Sequence, residues 1–135
     1  MFAYNVHHVA IAVHDLDEAI AKHLALYGTE VLYREDVESQ GVMEAMIPIG
    51  GTSLQLLAPL GADTPVGRFL ASRGEGLHHI AYAVADIEAA IAHLVEQGAK
   101  MVDSEPRRGG GGHKIAFVHP RTFAGTLIEL VEVSE

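Results

Sequence analysis

The sequence predicts an α+β fold made of two tandem βαβββ modules. The main observation is an internal repeat, because residues 7–21 recur 71 positions later as residues 78–92, with 9 of 15 positions identical. Self-similarity at a fixed offset indicates one supersecondary unit that is built twice. Each copy continues with an acidic helix start, a glycine helix stop and three further strand-like runs. The predicted modules are residues 5–58 and 77–133.

The first strand of each module shows strict alternation of large and small side chains. In residues 6–13 and 77–84, bulky or β-branched residues occupy one face and alanine occupies the other. Successive strand side chains point to opposite faces, so the second histidine of each His-His pair shares the alanine face. The space on that face favours His8 and His79 as functional residues, and the preceding histidines as structural ones.

A helix with recognisable ends follows each first strand. Asp15 precedes a predicted helix at residues 16–27, and Asp86 precedes one at residues 87–97. A short acidic side chain at this position accepts the free N–H groups of the first helical turn. A glycine directly follows each helix and ends it, because glycine readily adopts the left-handed conformation.

Three strand-like runs, separated by turn residues, complete each module. They cover residues 29–38, 41–49 and 52–58 in the first module, and residues 99–103, 113–118 and 125–133 in the second. The linker at residues 59–76 is rich in Pro and Gly, and Thr64-Pro65 predicts the start of a short helix within it. Neither module alone has enough core for independent stability, so we expect one domain over residues 1–135.

Composition limits the possible functions. The chain has no cysteine, which excludes disulfides, zinc–thiolate sites and thiolate nucleophiles. Its net charge of −9 argues against a nucleic-acid surface. No apolar run approaches the roughly 20 residues that span a bilayer, so no membrane partner is expected. Without a signal-peptide pattern at its start, the sequence predicts a cytoplasmic protein.

A polar residue occupies an equivalent place in the last strand of each module. Gln55 stands within Leu54–Leu56, and Glu129 stands within Ile128–Leu130. A buried carboxylate costs roughly several kcal/mol unless a cation or a hydrogen-bond donor receives it. Together with the two histidines of the alanine face, each module therefore offers one imidazole and one oxygen donor, which is typical of a metal site.

These residues resemble the vicinal oxygen chelate superfamily, and within it the methylmalonyl-CoA epimerases. The resemblance covers residues 5–133 and rests on the paired His-His strands and on further stretches at residues 41–50, 107–114, 117–120 and 125–131. It implies an open, incompletely closed β-barrel that holds one divalent metal ion. The implied ion is Co²⁺, although Mn²⁺, Ni²⁺ or Zn²⁺ also suits such ligands. The implied ligands are His8, Gln55, His79 and Glu129.

The same resemblance implies that (2R)- and (2S)-methylmalonyl-CoA, intermediates of propionate metabolism, are interconverted by metal-assisted proton abstraction at C2 via an enolate. Glu44 would be the base, and desolvation in its apolar strand should raise its pKa toward the working pH. Glu129 would be the opposite acid or base, with a water or another side chain as the alternative. Arg107, Arg108 and Lys114 are expected near the acyl carboxylate or the CoA phosphates. A homodimer is also implied.

Two other classes of function remain open on this scaffold. One is another metal enzyme, either a glyoxalase I acting on a glutathione hemithioacetal or a thiol transferase that confers fosfomycin resistance. The other is a metal-free protein that sequesters a small molecule such as an antibiotic. Glu44 within the complete stretch 41–50 favours the epimerase over the first class. The complete set of four ligand residues favours a metal enzyme over the second. The glycine run at 109–112 lacks the Gly-Lys-Ser/Thr of a phosphate loop, so we interpret it as a hairpin connection, with a mobile flap over the substrate as the alternative.

Overall fold

The computed structural model describes residues 2–134, which form two compact units. One unit comprises His8–His78, and the other comprises the described residues up to His7 together with those from His79 onward. Both boundaries therefore fall between the two histidines of a repeat. The single domain expected over residues 1–135 stays a prediction, and Met1 and Glu135 lie outside the described residues.

The unit His8–His78 contains most of the first module and the linker. Its sheet has the strand order β2-β3-β4-β1, in which β1 and β4 are parallel and the other neighbours are antiparallel. A 3-10 turn at Glu38–Gln40 joins β2 to β3. The elements are β1 (Ala3–Ala12, which begins before the boundary), α1 (Leu16–Tyr27), β2 (Tyr33–Val37), β3 (Val42–Ile49), β4 (Thr52–Pro59) and α2 (Pro65–Arg73).

The other unit repeats this arrangement. Its sheet has the order β5-β8-β7-β6, in which β5 and β8 are parallel and the other neighbours are antiparallel. Short 3-10 turns lie at Gly110–Gly112 and Pro120–Phe123. None of the described helices is long and apolar enough to cross a membrane. The elements are β5 (Gly76–Val84, which begins before the boundary), α3 (Ile87–Glu96), β6 (Arg107–Arg108), β7 (Lys114–Val118) and β8 (Ile128–Glu132).

The helices begin at the residues that the sequence predicts. Asp15 accepts a hydrogen bond from the backbone N–H of Glu18 at 3.0 Å, and Asp86 accepts one from Ala89 at 3.0 Å. In the linker, the hydroxyl of Thr64 accepts a hydrogen bond from the backbone N–H of Gly67 at 3.0 Å, and the predicted short helix begins at Pro65. These caps satisfy N–H groups that have no partner within the helix.

The strand predicted at residues 99–103 is wrong. Only Met101 pairs there, in a single bridge with Val118. The backbone N–H groups of Val102 and Asp103 both donate to the same carbonyl of Phe117, at 2.9 and 3.2 Å. The side chain of Asp103 accepts a hydrogen bond from the backbone N–H of Phe117 at 2.9 Å. A neighbouring strand would need the backbone N–H of Phe117 as a donor, but the Asp103 carboxylate already accepts it. The pairing therefore stops there, and the edge strand lies further along the chain, at β6.

Each sheet has a face that packs on its helix and a face that carries the alanines. On the helix face, Ile11 packs with the α1 cluster, and Val84 packs with the α3 cluster. On the other face of the unit His8–His78, Ala10 packs with Val66 and Leu70 of α2. The predicted division of faces is therefore confirmed, and the linking helix covers part of the alanine face.

Candidate active site

Five polar or charged side chains are buried among the described residues, and all five are ones that the sequence predicts for catalysis or metal binding. Desolvating such groups costs roughly several kcal/mol unless specific partners receive them. Because every buried polar side chain belongs to the predicted set, we infer that these residues have functional roles. Their exposed fractions are 3% for His8, 1% for Glu44, 8% for Gln55, 3% for His79 and 5% for Glu129.

In the unit His8–His78, three of these side chains share the alanine face. Gln55 on β4 lies opposite Ala10 on β1 and opposite Met46 on β3. His8 precedes Ala10 by two residues, and Glu44 precedes Met46 by two. Because strand side chains alternate, three adjacent strands present Glu44, Gln55 and His8 on one face.

The side-chain amide of Gln55 is oriented by Glu44. Nε2 of Gln55 donates a hydrogen bond to Oε2 of Glu44. An ionised carboxylate only accepts hydrogen bonds, so the NH₂ group must face it and Oε1 must point elsewhere. That Oε1 atom is buried and accepts no hydrogen bond from any residue that the structure describes. An unsatisfied buried acceptor costs about 1–3 kcal/mol, which a bound cation would offset.

In the other unit, His79 and Glu129 lie on the alanine face of β5 and β8. Glu129 is opposite Ala81, as Gln55 is opposite Ala10 in the first module, so the predicted equivalence of Gln55 and Glu129 is confirmed. Nε2 of His79 is 3.5 Å from Oε1 of Glu129. This separation suits two donor atoms that bind the same metal ion, each at about 2.0–2.2 Å.

Phe117 on β7 is a residue that the sequence analysis missed. It lies opposite Glu129, and its ring meets His79 edge-on, with centroids 5.4 Å apart and an interplanar angle of 90°. The guanidinium of Arg107 lies 5.7 Å from the centroid of the Phe117 ring. The carboxylate of Asp103 contacts both residues. Its Oδ1 lies 3.3 Å from Nε of Arg107, and its Oδ2 accepts a hydrogen bond from the backbone N–H of Phe117. These contacts fix the ring against which His79 packs.

The three basic residues predicted to contact substrate lie on two different faces. Arg107 is opposite Ile115, which shares the face of Phe117 and hence of His79. Arg108 is opposite Lys114 on the helix face, where Nζ of Lys114 lies 3.2 Å from the carboxylate of Glu88 on α3. Of the three, Arg107 alone shares a face with His79 and Glu129.

Glu44 has no carboxylate counterpart in the second module. The residue 71 positions later is Ile115, which lies opposite Val131 as Glu44 lies opposite Leu57. The repeat therefore supplies paired ligand positions but a single buried acid at this place. The position equivalent to Glu44 therefore supplies no second acid–base group.

Comparisons with known proteins find relatives over most of the chain. Residues 7–117 match the family model described as the Glyoxalase/Bleomycin resistance protein/Dioxygenase superfamily. The chain is 42% identical over 130 residues to the ethylmalonyl-CoA/methylmalonyl-CoA epimerase of Cereibacter sphaeroides, covering 95% of this chain and 97% of that protein. It is 35% identical over 126 residues to the mitochondrial methylmalonyl-CoA epimerase of Homo sapiens, covering 93% of this chain and 72% of that protein.

Solved structures agree with the sequence matches. A variant of Streptomyces coelicolor methylmalonyl-CoA epimerase in complex with 2-nitronate-propionyl-CoA has a TM-score of 0.93 and 43% identity, over 96% of this chain and 94% of that chain. A methylmalonyl-CoA epimerase in complex with methylmalonyl-CoA and NH₄⁺ also has a TM-score of 0.93 and 43% identity, over 98% and 95%. These matches confirm the predicted α+β class. The chain belongs to the Glyoxalase/Bleomycin resistance protein/Dioxygenase superfamily and, within it, to the methylmalonyl-CoA epimerase family.

Proposed function

We propose that this protein is an epimerase that interconverts the (2R) and (2S) forms of methylmalonyl-CoA. The observation that carries the proposal is the burial of two carboxylates, two imidazoles and one amide in otherwise apolar strands. Epimerisation requires removal of the C2 proton, between a thioester and a carboxylate, and return of a proton on the opposite face. Buried carboxylates are suited to both transfers because their environment can bring their acidity close to the working pH.

We propose further that His8, Gln55, His79 and Glu129 hold one divalent metal ion. The orphaned Oε1 of Gln55 and the 3.5 Å separation of the His79 and Glu129 donor atoms support this set. When bound, the ion would supply Lewis-acid stabilisation of the negative charge that develops on the thioester oxygen. Co²⁺ stays a prediction, since imidazole and carboxylate ligands also suit Mn²⁺, Ni²⁺ and Zn²⁺.

In this proposal Glu44 takes the C2 proton and Glu129 exchanges a proton on the opposite face. The hydrogen bond from Gln55 holds the carboxylate of Glu44 in one orientation, and burial keeps water from competing as a proton donor. General acid–base groups of this kind contribute about 10²–10⁴-fold to rate. Glu129 is proposed for the second role because it is the buried carboxylate of the second module and the one that the family resemblance implies, with a water or another side chain as the alternative.

Arg107 is proposed to contact an anionic group of the substrate. It shares a face with His79, and its side chain is 39% exposed while its planar head rests over Phe117. Arginine recognises carboxylates and phosphates through a rigid fork of N–H donors. Substrate contacts by Arg108 and Lys114, the homodimer and the cytoplasmic location stay predictions.

Deuterium exchange tests the proposed function directly. In D₂O the protein should incorporate deuterium at C2 of methylmalonyl-CoA while it scrambles the configuration, as followed by mass spectrometry and chiral analysis. A chelator should abolish both signals, and a restored divalent ion should return them. The hemithioacetal of methylglyoxal and glutathione should not react. Conversion of the hemithioacetal without exchange into methylmalonyl-CoA would instead favour a glyoxalase.

Replacing Phe117 by Leu should weaken metal binding by about 10-fold, because partners that orient a metal-binding His affect affinity by roughly 10–100-fold. Phe117→Tyr, which keeps the ring against His79, should bind metal as the unmodified protein does. The matched control is Met46→Leu at the equivalent position of the first module, which should leave affinity nearly unchanged. Titration with Co²⁺, followed by its visible absorption, measures all three. Equal losses in the Leu variants would assign Phe117 a packing role only.

A further inference from the structure

A cavity of about 490 Å³ lies beside the C-terminal end of α3, and none of the five buried polar residues lines it. One wall is formed by the residues that follow α3, including Gln97 and Lys100. The opposite wall is the 3-10 turn between β7 and β8, with Arg121, Thr122 and Phe123. The proposed catalytic chemistry leaves this cavity without a role.

Two cations at this cavity, Lys100 and Arg121, have no carboxylate partner among residues 2–134. Of the seven other Lys and Arg residues, four lie within 3.3 Å of a carboxylate oxygen, namely Arg34, Arg68, Arg107 and Lys114. The chain has 18 acidic residues against 9 Lys and Arg. Two unpaired cations that share one cavity in so acidic a chain indicate a binding site for an anion.

The adjacent helix end does not account for these charges. Cations are favourable near a helix C-terminus, where backbone carbonyls lack partners. Here the carbonyls of His93, Leu94 and Val95 already accept the backbone N–H groups of the residues that follow, at 2.9–3.0 Å. Lys100 and Arg121 are therefore not required as caps.

The turn that carries Arg121 is an addition of the second module. Met46 and Phe117 are 71 positions apart, whereas Gln55 and Glu129 are 74 apart, so the β7–β8 connection is three residues longer than its counterpart. It ends at Ala124, whose φ of 54° is the only positive value among described residues other than glycine. Such strain persists where surrounding contacts enforce it, often at ligand sites.

Further hydrogen bonds hold this turn against the residue that supplies the other cation. The hydroxyl of Thr122 accepts the backbone N–H of Lys100 at 3.0 Å and donates to the Lys100 carbonyl at 3.2 Å. The backbone N–H of His119 also donates to that carbonyl, at 2.8 Å. The two backbones are thus fixed relative to each other, so the two charges are presented together without a large ordering cost.

The chemistry of the cavity fits a phosphorylated adenosine. Arginine and lysine together are the usual partners of phosphate groups. Phe123 is 38% exposed at the same cavity and offers an aromatic face on which a base can stack. We propose that this cavity binds the 3′-phosphoadenosine diphosphate end of the substrate's CoA, an inference that rests on the proposed function.

The cavity is within reach of the reacting centre. Phe117 contacts His79, and Arg121 is only four residues further along the chain, so the Cα atoms of Phe117 and Arg121 are at most about 14 Å apart. The pantetheine arm of CoA matches an extended peptide of about four or five residues and spans roughly 15 Å. An arm passing round the β7–β8 turn therefore joins the acyl group to the nucleotide.

Kinetics with a full and a truncated substrate test this assignment. The double variant Lys100→Gln/Arg121→Gln should raise KM for methylmalonyl-CoA by about 10–100-fold, each lost phosphate contact being worth about tenfold, with kcat nearly unchanged. Its KM for methylmalonyl-pantetheine, which lacks the nucleotide, should equal that of the unmodified protein. Lys22→Gln, at an exposed lysine of α1, is the matched control and should change neither KM. Equal changes in both KM values, or a change in neither, would overturn the proposal.

Direct titration with adenosine 3′,5′-bisphosphate separates this proposal from the proposed function. The unmodified protein should bind it, the double variant should not, and the compound should compete with methylmalonyl-CoA. Noncompetitive inhibition would identify a site for a free nucleotide and would overturn the assignment to CoA. If neither thioester is epimerised, the proposed function fails, and the titration still decides whether the cavity binds adenosine phosphates.

Discussion

Glu44→Gln should lower kcat for methylmalonyl-CoA by about 10²–10⁴-fold while it leaves the metal content unchanged. The amide has nearly the volume of the carboxylate and still offers an oxygen to Nε2 of Gln55. It cannot take up the C2 proton, so only the chemical step should suffer. Steady-state kinetics, deuterium incorporation at C2 and elemental analysis of the purified variant measure these quantities.

Glu30→Gln is the matched control for this substitution, because it makes the same chemical change at an exposed position of the same unit. It should match the unmodified protein in all three measurements. Near-normal turnover by Glu44→Gln would remove Glu44 from the mechanism. Loss of bound metal in that variant would instead show that Glu44 acts by holding Gln55.

His79→Ala should lose the metal ion and, with it, nearly all turnover. Removing a residue that merely orients a ligand costs roughly 10–100-fold in affinity, so removing the ligand itself should cost at least about 100-fold. The unmodified protein should gain about 2.7 kcal/mol of stability when free metal is at 100 times its Kd, and the variant should gain almost none. Metal titration and thermal unfolding with and without metal check this result.

The adjacent histidine provides the control for His79→Ala. His78 packs against Phe69, with ring centroids 4.8 Å apart, and it precedes the buried histidine on the strand. His78→Ala should therefore bind metal normally and lose only some packing energy. Metal loss in His78→Ala with full retention in His79→Ala would exchange the roles of the two residues.

Local patterns were sufficient to predict the elements that carry the site. The alternation in β1 and β5 identified the face of His8 and His79, because a period of two is a property of the strand itself. The repeat then related Gln55 to Glu129, and the register confirms that relation. Both signals are contained in short stretches of sequence.

The features that sequence reasoning missed depend on contacts between distant segments. The run 99–103 alternates like a strand, yet the side chain of Asp103 accepts the backbone N–H of Phe117 and so ends the strand pairing. The edge-on contact of Phe117 with His79 depends on the register of β7 against β8, which a hydrophobic pattern alone does not specify. For the same reason, composition could not separate Arg107 from Lys114, which lie on opposite faces.

The bond between Gln55 and Glu44 ties two roles to a single amide group. While Glu44 is ionised, the bond is charge-assisted and strong, and uptake of a proton makes it an ordinary neutral bond. The hydrogen bond that orients the amide of Gln55 therefore weakens once Glu44 has taken up a proton. Substitutions at these two positions should not act independently, since each removes part of what the other depends on. The orientation of the Gln55 amide thus depends, through this one hydrogen bond, on the protonation state of Glu44.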